Sequence, residues 1–190
     1  MAWLTTSPLV KTYTLEEFWE LPDPPDRSKL ELIAGVLYMT PPPGYLHANA
    51  VSRLNRLLIQ YLTASGDKGT LYLPRAGIWR TPHTWLEPDL FYVSSETQAK
   101  LDPKYMTTAD LVIEVISPGS AIYDRNTKAD TYAALGVKEL WLVDESSRLF
   151  EVRVREDNRF SQSLVLEVDD YLTSVVLPGF NVKIGELFGD

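Results

Sequence analysis

Residues 111–128 read LVIEVISPGSAIYDRNTK, and the fold turns on how the first six are placed. Leu111, Val112 and Ile113 precede Glu114, while Val115 and Ile116 follow it, so neither face of the run alternates with polar residues. A continuous apolar run is what a strand covered on both faces looks like, which makes this the central strand of a mixed sheet flanked by helices. An ionised carboxylate in its middle costs on the order of several kcal/mol unless it is paired or holds a cation. Glu114 therefore needs a partner.

Asp89 raises the same question in EPDLFYV, where it follows Pro88 and precedes four apolar residues. Proline is tolerated at the first residue of a strand, so Asp89 belongs near a strand beginning. If its strand neighbours that of Glu114, both carboxylates can face one cleft. Two carboxylates with no cysteine or histidine beside them suit a hard divalent cation, magnesium or manganese. Each could instead make a structural ion pair or cap a turn. Lys128 follows the SPG break, in the first turns of the next helix, and its long stem can reach back over the strand end.

Around this block the chain reads as one α/β (α+β) domain. Thr14 and Glu17 form a capping-box pattern for a short helix, and LELIAGVLYMT reads as a strand pair turning at Gly35. The run 46–66 carries apolar residues at three- and four-residue spacing, the clearest helix of the chain, stopped at Gly66. GTLYLP and AGIWRT read as a hairpin with Arg75 at its tip. Asp124 reads as the N-cap of a helix that ends at Gly136. KELWLVD and RLFEVRVRE follow as a hairpin, and SLVLEV and SVVLPGFNVKI as further strands.

The 190 residues are 45% hydrophobic, enough for one core, and the expectation is a single domain over 1–190 with a short extension at 1–12. Cysteine is absent, which excludes disulfides, thiolate nucleophiles and cysteine-held metals. Two histidines cannot form the two-histidine helix of a metalloprotease together with the rest of its motif, so a metal would rest mainly on oxygen. The net charge of −8 argues against loose, charge-driven binding to nucleic acid but leaves room for a local basic cleft. No signal-peptide pattern or membrane-length apolar run stands out, which sets cytoplasm as the expected compartment.

Pro88-Asp89, Glu114 in IEVIS, Lys128, Tyr132 and the closing GVKELWLVD together resemble a large prokaryotic family of restriction-endonuclease-like proteins in the PD-(D/E)xK nuclease superfamily. LELIAGVLYM with PPPGYLH resembles its opening hairpin, and VLPGF its closing turn, so the likeness runs from about Tyr13 to the end. The resemblance implies a restriction-endonuclease-like mixed sheet flanked by helices and a metal-dependent endonuclease acting on DNA rather than RNA. It implies Mg2+ or Mn2+ on Asp89 and Glu114, with the Val115 carbonyl as a further ligand. The superfamily pattern places a lysine two residues after the glutamate, where this chain has Ile116; the family supplies it from the following helix, which maps to Lys128. Glu31 matches a recurrent acidic position that could support the metal or its water, and His47 matches a position without an evident role. Many members act as dimers, so a homodimer is admitted.

Arg53, Arg56, Arg75, Arg80 and Arg125 are candidate phosphate contacts, Arg75 foremost because a hairpin tip can enter a groove. Two other classes compete: a nuclease-fold binding or scaffold domain that does not cut, supported by Ile116, and a metal-independent glycosidase using Asp89 and Glu114 as an acid-base pair.

Overall fold

The computed structural model describes residues 10–117 and 121–189. Most of the 1–12 extension and the Pro118-Gly119-Ser120 part of the loop lie outside them. Helix α1 (Leu15–Trp19) starts on the Thr14–Glu17 capping box and leads into the hairpin β1 (Lys29–Ile33) and β2 (Val36–Thr40). Ala34 and Gly35 turn it with φ of 48° and 82°, the left-handed pair that a two-residue hairpin requires. Helix α2 (Tyr45–Ser65) follows, ending at Gly66 in the left-handed conformation of a C-terminal stop.

The strands β3 (Thr70–Tyr72), β4 (Ile78–Arg80), β5 (Thr84–Leu86) and β6 (Leu90–Val93) come next, then α3 (Ser95–Gln98) and β7 (Leu111–Ile116). The helical stretch after β7 has three parts: α4 (Ala121–Tyr123), a π-turn (Asp124–Lys128) and α5 (Ala129–Leu135). The chain closes with β8 (Glu139–Asp144), β9 (Leu149–Glu156), β10 (Arg159–Phe160), β11 (Leu164–Leu166), β12 (Tyr171–Thr173), β13 (Asn181–Lys183) and α6 (Ile184–Phe188). The architecture is α+β, with a seven-stranded mixed sheet in the order β10-β9-β8-β7-β6-β3, where β11 also pairs with β9. Among the described residues only β7 and β8 run parallel in this sheet; its other pairs are antiparallel. A second sheet, β2-β1-β5-β4, lies beside it.

Two expectations are corrected here. GTLYLP and AGIWRT are not a hairpin: β3 pairs with β6 in the large sheet and β4 with β5 in the small one. The turn at Arg75 carries the chain between sheets, and adjacency along the chain does not decide which edge a strand finds. Asp124 is not an N-cap, because the helix begins at Ala121 and Asp124 lies within it, buried.

Strand β7 is buried at all six positions, as a doubly covered strand must be. Leu111, Ile113 and Val115 pack into the core formed with Leu54, Leu58 and Leu62 of α2. Each such leucine contributes about 1.5–3 kcal/mol by leaving water. Val112 and Ile116 pack on the opposite face with Ile78, Leu86 and Tyr132. By the two-residue period of a strand, Glu114 shares that second face with Ile116.

Candidate active site

The register of β6 and β7 pairs Leu90 with Ile113, so one further step sets Asp89 opposite Glu114. Both line a cleft of about 580 Å3, within the ordinary range for a ligand site, together with Val115 and Lys128. Val115 N–H donates to Asp89 Oδ2 at 2.8 Å, and His47 Nε2 lies 3.0 Å from the same oxygen. Burial pushes the Asp89 carboxyl up, but His47 and the Lys29 and Lys128 ammonium groups outweigh it and hold the pKa below the usual carboxylate value. Asp89 is therefore charged at neutral pH.

Glu114 meets Lys128 Nζ at 2.8 Å and the Tyr132 hydroxyl at 2.5 Å, both on Oε1. Burial drives its pKa up to about 7, against the pull of Lys128. For Lys128 burial acts downward, yet Glu114 and Glu31 together hold its pKa well above the ordinary lysine value. The site keeps an ammonium 98% out of solvent, with Glu31 Oε2 at 3.1 Å and Asp124 Oδ1 at 3.5 Å. Three carboxylates offset its desolvation.

The π-turn explains how Lys128 arrives there. Its hydrogen bonds close over five residues instead of four, a bulge that re-aims side chains and recurs at functional sites. Lys128 ends this turn, and Tyr132 follows one helical turn later on the same face, so both reach one oxygen of Glu114. Ile116, at the superfamily's usual lysine position, shares Glu114's face but is spent on the hydrophobic core.

Glu31 is fully buried beneath the cleft and does not line it. Its Oε1 accepts the Glu87 N–H at 2.9 Å, and Lys29 Nζ stands 3.8 Å from that oxygen. The Oε2 atom has the Lys128 ion pair without hydrogen-bond geometry. Among the candidate arginines, Arg75 lines the cleft, joined by Arg27 and Lys29 to form a basic rim. Arg53 is tied to Glu145 and the Leu187 carbonyl, and Arg125 to Glu151 and Asp144, so both serve the scaffold. Arg56 and Arg80 are exposed and do not line the cleft.

Sequence reasoning missed Lys29 and the siting of Asp124. The four-residue spacing of Asp124 and Lys128 was the signal for the latter, since such pairs share a helix face. Nothing local marked Lys29, whose Nζ donates to the Glu87 carbonyl at 2.8 Å across 58 residues.

The carboxylate oxygens of Asp89 and Glu114, with a phenol and an ammonium behind them, match magnesium or manganese in donor chemistry. Among the described residues no group of three or more His, Cys, Asp or Glu side chains could hold a metal by itself. Water and substrate oxygens would have to complete the shell, which is the usual manner for magnesium.

A mixed sheet that brings two carboxylates and a helix-borne lysine to one cleft defines a nuclease-like α+β protein. The sequence matches the Uma2 family, described as "Putative restriction endonuclease", over residues 15–185, and the chain belongs to that family. The fold is similar to a crystal structure from Anabaena variabilis described as "a putative nuclease belonging to DUF820", with a TM-score of 0.76 at 18% identity, covering 93% of this chain and 97% of that one. Comparison with curated proteins finds no match. Among the described residues no helix is long and apolar enough to cross a membrane.

Proposed function

We propose that this chain is a metal-dependent endonuclease that hydrolyses phosphodiester bonds of DNA, with Asp89 and Glu114 as the carboxylates that hold Mg2+ or Mn2+. The observation that carries the reading is the triad of Asp89, Glu114 and Lys128 on one cleft, the lysine 2.8 Å from the glutamate. The ion supplies, when bound, an acidified water and neutralisation of charge on the phosphoryl oxygens. Among the described residues, the bonds named above occupy one oxygen of each carboxylate and leave the other for the ion.

Lys128, held as an ammonium, donates toward the attacking water or the developing negative charge, and in that state it does not serve as a base. Tyr132 fixes the glutamate's rotamer by its hydroxyl bond, and His47 does the same for Asp89. Glu31 acts as a positioning residue that keeps Lys128 charged and in place. Arg27, Lys29 and Arg75 offset the net charge of −8 locally, where phosphates enter. A homodimer would provide two such sites for two strands.

The test incubates the protein with supercoiled, linear and single-stranded DNA, with magnesium, manganese or chelator, beside Asp89→Ala, Glu114→Ala and Lys128→Ala. Metal-dependent cleavage lost in all three variants is expected. Cutting that persists in chelator, or in the three variants, would sink the proposal, and retention of DNA without cutting would favour a binding domain. In a separate measurement, millimolar manganese raises the Tm of the wild type and much less that of Glu114→Ala.

A further inference from the structure

Beside the cleft lies a second cavity of about 180 Å3, walled by Phe18, Trp19, Trp85, Arg75 and Glu87. Arg75 and Glu87 line both cavities, so the two are adjacent and share a wall. The volume falls short of the ~300–1,000 Å3 of a drug-sized site, which leaves room for one heterocycle rather than a whole nucleotide. Its aromatic wall is organised: Trp19 stands edge-on to Trp85 at 6.2 Å and to Trp79 at 5.5 Å, yet remains 52% exposed. An indole held by two others and left half open is a preset stacking surface.

Glu87 supplies the polar group. It is 9% exposed; its Oε1 accepts the Trp85 indole N–H at 3.2 Å, while Oε2 is buried with no hydrogen-bond partner. The nearest cation, Arg75 Nε, is 3.6 Å from Oε2, too far for a hydrogen bond, on a side chain 66% exposed. A buried acceptor without a hydrogen-bond donor, on a side chain that lines both cavities, is a place where a ligand's N–H binds. The backbone of Glu87 is fixed to the catalytic cluster, its N–H on Glu31 and its carbonyl on Lys29. Two residues on is Asp89, at most about 7 Å along the chain.

We propose that this second cavity is a nucleobase subsite: it takes one unpaired base of the substrate strand, stacked on Trp19 and bonded through its amine edge to Glu87. The proposal rests on the nuclease reading of the neighbouring cleft. A base within a duplex has its faces covered and its edge paired, so only a single-stranded or extruded nucleotide can enter. The substrate class is then DNA with an unpaired base close to the cut. A carboxylate accepts from the exocyclic amines of cytosine, adenine or guanine, whereas the single N–H of thymine lies between two carbonyls that repel it.

The experiment uses fluorescently labelled deoxyhexanucleotides in chelator, which blocks the proposed cleavage. Anisotropy gives the affinity of the full chain for dC, dA, dT and abasic hexamers, and quenching of intrinsic tryptophan emission reports stacking. The expected result is quenching by dC and dA hexamers, dT binding roughly tenfold more weakly, and an abasic hexamer weaker by roughly 10–100-fold, the span of one base-aromatic stack. Trp19→Ala should lose the same factor, and Glu87→Gln should erase the preference over dT. Equal affinity for abasic and dC hexamers, or unchanged binding in Glu87→Gln, overturns the proposal whether or not Trp19→Ala folds. Base-dependent quenching in a protein that never cuts DNA would refute the nuclease reading and keep the subsite; metal-dependent cutting with base-independent binding would do the reverse.

Discussion

Two glutamates stand on neighbouring parallel strands, both buried in apolar runs, and they have opposite surroundings. Glu139 on β8 accepts the Trp141 indole N–H at 2.6 Å, the Ser174 hydroxyl at 2.8 Å and the N–H groups of Val175 and Val176 at 2.9 and 3.2 Å. Every donor is neutral, and three of the four come from one loop that the carboxylate pins to the sheet. Glu114 on β7 meets an ammonium and a phenol at the wall of a cleft. A buried carboxylate satisfied by fixed neutral donors is a fastener, whereas one balanced by a single charge beside an opening retains chemistry.

The sharpest way to break the comparison is Lys128→Ala. It leaves Glu114 and Glu31 buried without their cation, and a loss of about 3–5 kcal/mol in urea unfolding is expected along with loss of cleavage. Next comes Glu114→Gln against Glu139→Gln in the magnesium-dependent cleavage assay. The first should lose about 10²–10³-fold in rate, the scale of one preorganised electrostatic contact, and the second should cut like the wild type. Similar losses in both would erase the distinction between them. In unfolding, Glu139→Gln should cost about 1–3 kcal/mol, because an amide cannot accept from all four donors.

The smallest effect concerns a third carboxylate. Burial raises the Asp110 pKa, but Lys138, the Ser94 N–H and the Thr97 hydroxyl outweigh it and keep it below the ordinary value. A lowered folded pKa adds stability that is complete above about pH 4 and is lost as pH falls through the folded value. Asp110→Asn should therefore flatten the acid limb of stability against pH, and an unchanged limb would count against this assignment.

The same comparison shows what was legible in the sequence. An acidic residue inside an apolar run announces a buried carboxylate, and that signal pointed to Glu114; it is just as strong in KELWLVD, where Glu139 proves to be scaffold. Pattern reports burial, while the identity of the donors is set by loops and helices distant in sequence. Helix α2 and the β1–β2 hairpin were readable because periodicity and a Gly35 turn are local causes. The exchange of β3 and β4 between sheets was not, since edge choice depends on long-range packing. Lys128 was placed near Glu114 by the short connection after the strand, the reach of its stem and the family resemblance; the π-turn that aims it has no sequence mark of its own.

That turn has a genetic consequence. Compared with an α-helix, it stores one surplus residue between Asp124 and Lys128, upstream of the firmly seated Ala129, Tyr132 and Ala133. Deleting a single codon there lets the backbone relax to ordinary helical winding while the seated part stays docked. Asp124 then stands three residues before Lys128 instead of four, still a neighbour on the same helix face, so the ion pair survives the loss of the bulge. A one-codon deletion thus removes the bulge without stripping the lysine of its carboxylates, and separates the aim of Lys128 from the charges around it.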